Sequence, residues 1–324
     1  MSFSTIAECP NRPNRSELAV PGSNRRFLEK AAQSDADAVF LDLEDSVAPE
    51  QKEEARRNVI EALCDLDWGT RTVSVRVNGL DTPWFYRDVI DLLEAPTERL
   101  DLLMLPKVGT REDVVILDAL ATQVERAKQR ARPVGFELII ESALGLANIM
   151  AIAGASPRNE SLHFGVADFA ASIAAKTTRI GGPNPDYAVL TDPLDADGRR
   201  ERHWADMWHH PLMSLVVAAR ANGLRPIDGP FGDFSDPAGY EAQARRAMVL
   251  GCEGKWAIHP SQIALANRVF SPSEDEIKAA RRILDAMTEA KAKGQGAVAL
   301  DGKLIDLASI RQAEAILRRV GDTG

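Results

Sequence analysis

Eight short apolar segments alternate with helix-like segments along most of this chain, and this alternation restricts the fold more than any other sequence feature. A short apolar run bounded by turn residues is typical of a buried strand. The segments are ELAV (17–20), AVFLDLED (38–45), TVSVRVN (72–78), LLMLPKV (102–108), FELIIES (136–142), LHFGVAD (162–168), RPIDGP (225–230) and KWAIHP (255–260). Helix-like stretches such as PEQKEEARRNVIEALCDL (49–66) separate them. The pattern therefore indicates a repeated strand–helix unit.

Strands that alternate with helices predict a parallel sheet covered by those helices. Eight units within about 250 residues are the number found in a (β/α)₈, or TIM, barrel. An open, doubly wound sheet is the alternative, but it normally has a glycine-rich phosphate turn after its first strand. The corresponding stretch here, AVPGSNRRF, contains one glycine. We therefore predict an α/β protein in which residues 1–270 form a (β/α)₈ catalytic barrel.

Charge and cysteine usage exclude several classes of protein. The net charge is −9 and no basic run occurs, which argues against a nucleic-acid partner. Cys9, Cys64 and Cys252 are scattered, so they indicate neither a disulfide framework nor a zinc site. No apolar run approaches about 18 residues, the rough minimum for a membrane span. The N-terminus also lacks an apolar signal core, so we expect a cytoplasmic protein without a membrane partner.

Nearly every predicted strand ends on a polar or charged residue. Functional side chains of a TIM barrel lie at the carboxyl ends of its strands. The residues at these ends are Asp42, Glu44, Asp45, Arg76, Asn78, Lys107, Glu141, Asp168, Asp228 and His259. In the third strand, Val73, Val75 and Val77 alternate with Ser74 and Arg76, so the arginine belongs to the polar face. We expect it to project into the mouth of the barrel.

Glu141 and Asp168 end neighbouring strands in this scheme, and their carboxylates should lie side by side. Two such groups repel each other unless a cation lies between them. Mg²⁺ commonly uses one or two protein carboxylates together with substrate and water. The sequence therefore allows a magnesium site here. The alternative is that each carboxylate is salt-bridged or solvated.

Arg76 offers a planar guanidinium for a carboxylate or an enolate-like oxygen. The alternative is an ion pair with Asp42 or Glu44 inside the barrel mouth. The two interpretations are compatible, because an acidic neighbour can hold a functional arginine in place.

Basic residues follow the first strand, at Arg25, Arg26 and Lys30, with Asn24 before them. A turn that leads into a helix N-terminus favours anions, because free N–H groups and the helix dipole point towards them. A phosphate site is one interpretation of this segment. A solvated helix face is the other.

The segment 271–324 follows the eighth strand and is predicted to be a separate C-terminal extension. Ser271 and Glu274 fit a capping box, and the helix that they begin should end near Gly294. Asp301-Gly302 between apolar pairs predicts a tight hairpin turn. LASIRQAEAILRRV (307–320) predicts a last amphipathic helix. We expect this helix–hairpin–helix extension to act as a lid or as an arm that reaches a neighbouring subunit.

Two polar residues have simple structural interpretations. Asp306 directly precedes the last helix, where its oxygen would accept a hydrogen bond from the backbone of Ser309 as an N-cap. His259 would make a capping contact before Pro260. The long connection that contains residues 182–206 has no repeat or assigned role, although long loops are usually functional or flexible.

Several motifs, taken in their order, resemble one known family. They are PGSN with Lys30, FLDLEDSVAP, VRVNG, LPKV, IIESALG, FGVADFAA, PIDGPFGDFSD and GKWAIHPSQ. Together they resemble the citrate lyase β-subunit/HpcH–HpaI aldolase-like family from about Arg15 to the C-terminal helix. That family adopts a (β/α)₈ barrel, so the resemblance implies the fold that the strand count predicts.

The resemblance also implies roles for individual residues. Glu141 and Asp168 would bind Mg²⁺, with Mn²⁺ as a substitute, and Arg76 would hold the carbonyl substrate and the enolate. Asp306 would be the catalytic acid/base, delivered by the tail of an adjacent subunit in a homotrimer or homohexamer. The residues implied to contact the acyl-CoA are Ala19, Asn24, Arg25, Lys30, Arg76, Ala167, Asp168, Ile258 and His259. Asn24 occupies the place of the family's usual phosphate-turn arginine, which leaves open whether Arg25 or Arg26 meets the phosphates.

The implied activity is a reversible, Mg²⁺-dependent carbon–carbon cleavage of malyl-CoA into acetyl-CoA and glyoxylate. β-Methylmalyl-CoA is a further substrate under this interpretation. The alternatives are a malyl-CoA thioesterase on the same scaffold, a citramalyl-CoA lyase, and a non-catalytic binding protein, because a fold alone does not determine function.

Overall fold

A computed structural model of the chain describes residues 6–177, 179–192 and 194–319. It divides into two compact units, one that ends at Asn267 and one that begins at Arg268. The predicted boundary after residue 270 lies at the end of the helix that this division crosses. The strands in chain order are β1 (Ser16–Pro21), β2 (Ala38–Asp42), β3 (Thr72–Arg76), β4 (Leu102–Leu105), β5 (Gly135–Ile140), β6 (Asn159–Phe164), β7 (Ala188–Leu190), β8 (Arg202–Trp204), β9 (Arg225–Asp228), β10 (Gly254–Ala257), β11 (Val298–Leu300) and β12 (Lys303–Ile305).

The first unit is a closed barrel, with the strand order β1-β10-β9-β6-β5-β4-β3-β2. Every neighbouring pair in the barrel is parallel. The helices are α1 (Arg25–Ala32), α2 (Lys52–Asp65), α3 (Phe85–Glu94), α4 (Arg111–Lys128), α5 (Ala143–Ala147), α6 (Ile149–Ala153), α7 (Val166–Ser172), α8 (His209–Ala221), α9 (Pro237–Leu250), α10 (Ile263–Phe270), α11 (Glu274–Ala292) and α12 (Leu307–Arg319). The predicted (β/α)₈ barrel is confirmed.

The barrel interior is a packed core and not a channel. Alternate residues of a strand point to the same side, so β5 contributes Glu137 and Ile139 to successive interior layers. The middle layer is apolar and consists of Phe40, Met104, Ile139, Ile227 and Trp256, with Ala19 against it. Arg76 lies above this layer, with its guanidinium carbon 5.6 Å from the centre of the Phe40 ring and 5.9 Å from that of Trp256. The mouth of the barrel therefore has an aromatic floor.

The connection between β6 and β9 contains a small antiparallel hairpin, β7–β8, which the sequence pattern did not predict. Each of these strands has only three residues, too few for a period of two to be recognised. Thr178 and Pro193 lie outside the described residues. Among the helices of the described residues, none is long and apolar enough to cross a membrane.

The second unit consists of α11, the hairpin β11–β12 and α12, as predicted from the sequence. Asp301 and Gly302 have φ values of 51° and 76°, the backbone of a tight hairpin turn. The predicted capping box was placed two residues too early, because Ser273 with Glu276 makes it. Both pairs fit the same spacing, but the later start puts three acidic residues in the first turn, where the helix dipole favours them.

Candidate active site at the mouth of the barrel

Arg76, at the end of β3, is the central charged group of the mouth and is only 8% exposed. Its Nε and Nη2 each lie 2.7 Å from an oxygen of Asp42, and its Nη1 lies 3.2 Å from Oε2 of Glu44. The ion pair expected as the alternative role of Arg76 is therefore present. It orients the guanidinium, since Asp42 occupies one edge of the fork and Glu44 lies beside the third nitrogen.

Asp42 is itself held in place by the turn that follows β2. Its Oδ1 accepts from the backbone N–H of Glu44 at 2.9 Å, and its Oδ2 accepts from the N–H and hydroxyl of Ser46. Burial by itself would raise the pKa of Asp42, but the charge of Arg76 and these hydrogen bonds lower it overall. Asp42 is therefore a fixed, ionised anchor for the guanidinium.

Glu141 follows β5 and lies almost completely buried. Its Oε1 accepts from the backbone N–H of Lys107 at 2.6 Å. A Cβ atom at Gly165 would come within 2.3 Å of Oε2, so only glycine leaves room for this carboxylate. Burial, together with the negative charges of Asp168 and Glu44, raises the pKa of Glu141 to about 8.

Asp168 lies in the first turn of α7 and not at a strand end, because β6 ends at Phe164. It is half-buried, and Ala167 beside it is exposed. The helical turn still brings its carboxylate close enough for its charge to affect Glu141. Glu141 and Asp168 are thus two neighbouring carboxylates, and Glu141 needs a compensating positive charge to ionise at neutral pH. A divalent hard cation is suited to such a pair.

A second acidic cluster lies deeper in the barrel and differs from the mouth. Ligand atoms of Glu17, Glu137 and His163 lie within 4.8 Å of one another, and all three residues are buried. Trp256 donates its indole N–H to Nδ1 of His163 at 2.8 Å, so this lone pair is already used. Burial raises the pKa of Glu17 well above its usual value. Among the described residues, Oε1 of Glu17 and Oε2 of Glu137 lack a hydrogen-bond partner, but the use of the His163 lone pair and the raised pKa of Glu17 favour a buried polar core layer over a metal site.

The basic residues of α1 form two groups, one paired with carboxylates of the protein and one exposed. Asn24 is the N-cap and accepts from the backbone N–H of Phe27 at 3.3 Å. Arg25 lies against carboxylates of α1 and α2, at 3.6 Å from Glu29, 2.6 Å from Glu61 and 3.2 Å from Asp65. Its guanidinium is thus engaged within the protein.

Arg26 and Lys30 are exposed and lie one helical turn apart on α1. Within the described part of the chain, neither side chain makes a hydrogen bond or an ion pair. The sequence did not decide between Arg25 and Arg26 as the phosphate contact. The ion pairs of Arg25 make Arg26 and Lys30 the cations available to an anionic ligand.

The exposed end of β10 carries Ile258 and His259. The backbone N–H of Ile258 donates to Oε1 of Gln262 at 2.8 Å, and Nδ1 of His259 accepts from the backbone N–H of Ser261 at 3.2 Å. The predicted capping role of His259 is confirmed. Its ring also stacks on Phe234 at 4.9 Å, and Phe234 is 57% exposed. Nothing in the sequence pattern singled out Phe234.

Asp306 is the N-cap of α12 in the second unit. Its Oδ1 accepts from the backbone N–H groups of Ala308 at 2.9 Å and Ser309 at 3.2 Å. The predicted capping contact to Ser309 is confirmed. Its other oxygen, Oδ2, has no hydrogen-bond partner among the described residues.

Lys107 was identified only as a strand end, yet its side chain contacts two acids of the mouth and its backbone N–H contacts a third, Glu141. Its backbone is left-handed, with φ 54°, and its ammonium pairs with Glu44 and with Asp45. The sequence does not predict a left-handed backbone at a lysine, because this conformation is imposed by the surrounding loop and not by the residue itself.

Comparisons with known proteins agree with this geometry. A family described as HpcH/HpaI aldolase/citrate lyase matches residues 15–260. The chain is 54% identical to the L-malyl-CoA/β-methylmalyl-CoA lyase of Cereibacter sphaeroides over 98% of both chains. It is 40% identical to the malyl-CoA/β-methylmalyl-CoA/citramalyl-CoA lyase of Chloroflexus aurantiacus, over 96% of this chain and 89% of the relative. The CitE protein of Mycobacterium tuberculosis, solved with magnesium, acetoacetate and coenzyme A, is 28% identical, with a TM-score of 0.70 over 94% of this chain and 97% of that one.

Glu141→Gln should stabilise the metal-free protein at pH 8. Glu141 ionises near pH 4.3 in an unfolded chain but near pH 8 in the folded protein, so the stability that its proton confers is lost as the pH rises between these values. Glutamine cannot ionise and keeps that stability. In urea unfolding with EDTA, we expect the variant to gain more than about 1 kcal/mol over wild type between pH 5 and pH 8, since one pKa unit corresponds to about 1.4 kcal/mol.

Glu112→Gln, at an exposed position of α4, controls for the loss of one carboxylate. If Glu141→Gln and wild type show the same dependence on pH, the raised pKa is wrong.

Proposed function

Because this chain belongs to the HpcH/HpaI aldolase/citrate lyase family, we propose that it cleaves malyl-CoA reversibly into acetyl-CoA and glyoxylate. The chain is a carbon–carbon lyase. The observation that carries the proposal is the buried Arg76, fixed by Asp42 beside a second acidic pair, Glu141 and Asp168. The same site would accept β-methylmalyl-CoA, which the name of the 54% identical relative includes.

Glu141 and Asp168 would hold a Mg²⁺ ion, with Mn²⁺ as a substitute of similar ligand preference. When bound, the ion acts as a Lewis acid and a template for substrate oxygens. The CitE protein of Mycobacterium tuberculosis, which was solved with magnesium and coenzyme A, supports this assignment. Lys107 would keep one Glu141 oxygen oriented through its backbone N–H.

Arg76 would stabilise the negative charge that develops when the carbon–carbon bond breaks. A base takes the proton of the hydroxyl group, and the carbon–carbon bond then breaks to give the carbonyl of glyoxylate and the enolate of acetyl-CoA. A fixed cation near the enolate oxygen lowers the barrier without reorganising. The side chain suits this role because Asp42 and Glu44 hold it rigidly over Phe40. Because its guanidinium is buried, little water competes for that charge.

Asp306 of an adjacent subunit would exchange a proton with the methyl carbon of acetyl-CoA. A positioned carboxylate is suited to such general acid/base transfer. Only one of its oxygens is used by the N-cap of α12, which leaves the other for the substrate. The proposal therefore requires a homo-oligomer, a trimer or a hexamer, in which the C-terminal unit reaches a neighbouring barrel and excludes water from the enolate.

The coenzyme A part of the substrate would lie along the first and last strand ends. Arg26 and Lys30 would meet its phosphates, with Asn24 at the helix N-terminus beside them. Ala167, Ile258 and His259 are exposed and would line the acyl-CoA, above the floor that includes Ala19. We place the protein in the cytoplasm, with small molecules and copies of itself as partners.

Incubation of the purified protein with malyl-CoA tests the reaction. We expect glyoxylate and acetyl-CoA, identified by mass spectrometry, in the presence of Mg²⁺ and neither product after EDTA treatment. Free malate and coenzyme A would instead identify a thioesterase. Pyruvate and acetyl-CoA from citramalyl-CoA, without turnover of malyl-CoA, would identify a citramalyl-CoA lyase.

Asp306→Asn should separate catalysis from helix capping. Asparagine caps a helix about as well as aspartate, so α12 keeps its first turn while the acid is lost. We expect kcat to fall by roughly 10²–10⁴-fold, the usual contribution of a general acid/base, with an unchanged melting temperature. Ser273→Ala removes the N-cap of α11 in the same unit and should cost about 1 kcal/mol of stability while kcat is retained. Full turnover by Asp306→Asn would leave Asp306 with its capping role alone.

Arg26→Gln should weaken acyl-CoA binding, whereas Arg25→Gln should not. Loss of a hydrogen bond to a charged group costs about 1.5–3 kcal/mol, so we expect KM for malyl-CoA to rise about tenfold or more in Arg26→Gln. Arg25→Gln removes ion pairs with Glu61 and Asp65 and should leave KM unchanged. A raised KM in Arg25→Gln alone would reverse the assignment.

A further inference from the structure

We propose that Lys107 is a positioning residue with two separate roles, one towards Glu141 and one towards Glu44 and Arg76. Its backbone N–H orients the carboxylate of Glu141, and its ammonium neutralises Glu44 so that Arg76 keeps charge for the substrate. The inference rests on the proposed function for what Glu141 and Arg76 do, but the contacts of Lys107 are independent of it.

The backbone of Lys107 is left-handed, with φ 54°, a conformation that residues other than glycine rarely adopt. Glycine would fit this backbone better. A lysine at such a position therefore indicates that its side chain contributes something that glycine lacks.

The loop that contains Lys107 is held on both sides, and this enforces the unusual backbone. A Cβ atom at Gly145 in α5 would lie 2.3 Å from the carbonyl oxygen of Val108, so α5 packs directly against the loop. Asn148 donates its side-chain N–H to the carbonyl of Gly109 at 2.9 Å. Asp113 of α4 accepts from the N–H of Gly109 at 2.8 Å. The loop therefore has little freedom to rotate the Lys107 N–H elsewhere.

This N–H determines which oxygen of Glu141 is available. It donates to Oε1 at 2.6 Å, while Oε2 accepts no hydrogen bond from the described residues. Oε2 lies beside Gly165, where any larger residue would collide with it. Glu141 is thus presented with one oxygen fixed and one oxygen free, as a monodentate ligand requires.

The ammonium of Lys107 acts on the other half of the mouth. It pairs with Oε1 of Glu44 and lies 3.3 Å from Oδ1 of Asp45. Oε2 of Glu44 lies 3.2 Å from Nη1 of Arg76, so Glu44 is shared between two cations. Without the ammonium, Arg76 would be the only cation of the described residues in direct contact with the Glu44 carboxylate, because the ammonium of Lys52 donates to the Glu44 carbonyl and acts on the carboxylate only through its charge. Less of the positive charge of Arg76 would then remain for an anionic ligand.

The variants Lys107→Gly and Lys107→Val separate the two roles. Both remove the ammonium, but glycine adopts the left-handed backbone freely, whereas a β-branched residue there is strongly disfavoured. Mg²⁺ affinity is measured by calorimetric titration of the substrate-free protein with MgCl₂. We expect Lys107→Gly to stay within about threefold of wild type and Lys107→Val to bind about 10–100-fold more weakly, the usual effect of losing a partner that orients a metal ligand.

The ammonium is tested by turnover. At saturating Mg²⁺, we expect Lys107→Gly to lower kcat at least about tenfold, and Lys107→Arg, which keeps a cation, to recover much of that loss. Circular dichroism checks that each variant is folded. If Lys107→Val does not fold, Lys107→Ala replaces it in the comparison with Lys107→Gly, because alanine disfavours the left-handed backbone less strongly than valine does.

Each role has a result that overturns it. Equal Mg²⁺ affinity in the glycine and valine variants would exclude the backbone role, and a wild-type kcat in Lys107→Gly would exclude the ammonium role. The affinity measurement uses no acyl-CoA. A wild-type protein that fails to cleave malyl-CoA would therefore overturn the proposed function while the affinities still decide the role of the backbone.

Discussion

The ion pair between Arg76 and Asp42 is the interaction on which the rest of the mouth depends. A buried guanidinium without a partner is costly, so the two groups must be placed together by the fold. Parallel pairing of β2 with β3 does this directly, because it puts Asp42 opposite Arg76 in register. The pair leaves the guanidinium above Phe40 and Trp256, and the other acidic groups are arranged around it.

The acidic groups at the mouth outweigh the positive charge near Glu141, and this excess of negative charge favours the binding of a cation. Arg76 and the N–H of Lys107 both lower the pKa of Glu141, yet burial and the neighbouring acids outweigh them. A divalent ion would reverse this balance by attracting the same carboxylates that now repel one another. The deeper cluster around His163 differs, because its hydrogen bonds are made within the protein, as the contact with Trp256 shows.

The sequence predicted the barrel because eight apolar segments of strand length repeat with helices between them, a signal spread over the whole chain. It also placed Arg76 and Glu141 at strand ends, which the structure brings to one mouth. Features that depend on a single tertiary contact could not be predicted from the sequence. The left-handed Lys107 depends on packing by α5, and the choice between Arg25 and Arg26 depends on which face of α1 meets the acids of α2. The hairpin β7–β8 is too short to leave a pattern.

For some residues the sequence could not decide between a structural and a functional role. In these residues, the two roles use different atoms of the same side chain. Arg76 places two nitrogen atoms against Asp42 and the third beside Glu44, and its proposed role would use the N–H groups that remain. Asp306 gives Oδ1 to the N-cap of α12, which fixes the direction of Oδ2. A structural contact of this kind is compatible with catalysis, because it already restricts the rotation of the side chain. The entropy of that rotation then does not have to be lost when the transition state forms. The capping contact of Asp306 is for this reason compatible with its proposed role, and it is also the reason that asparagine is the informative replacement.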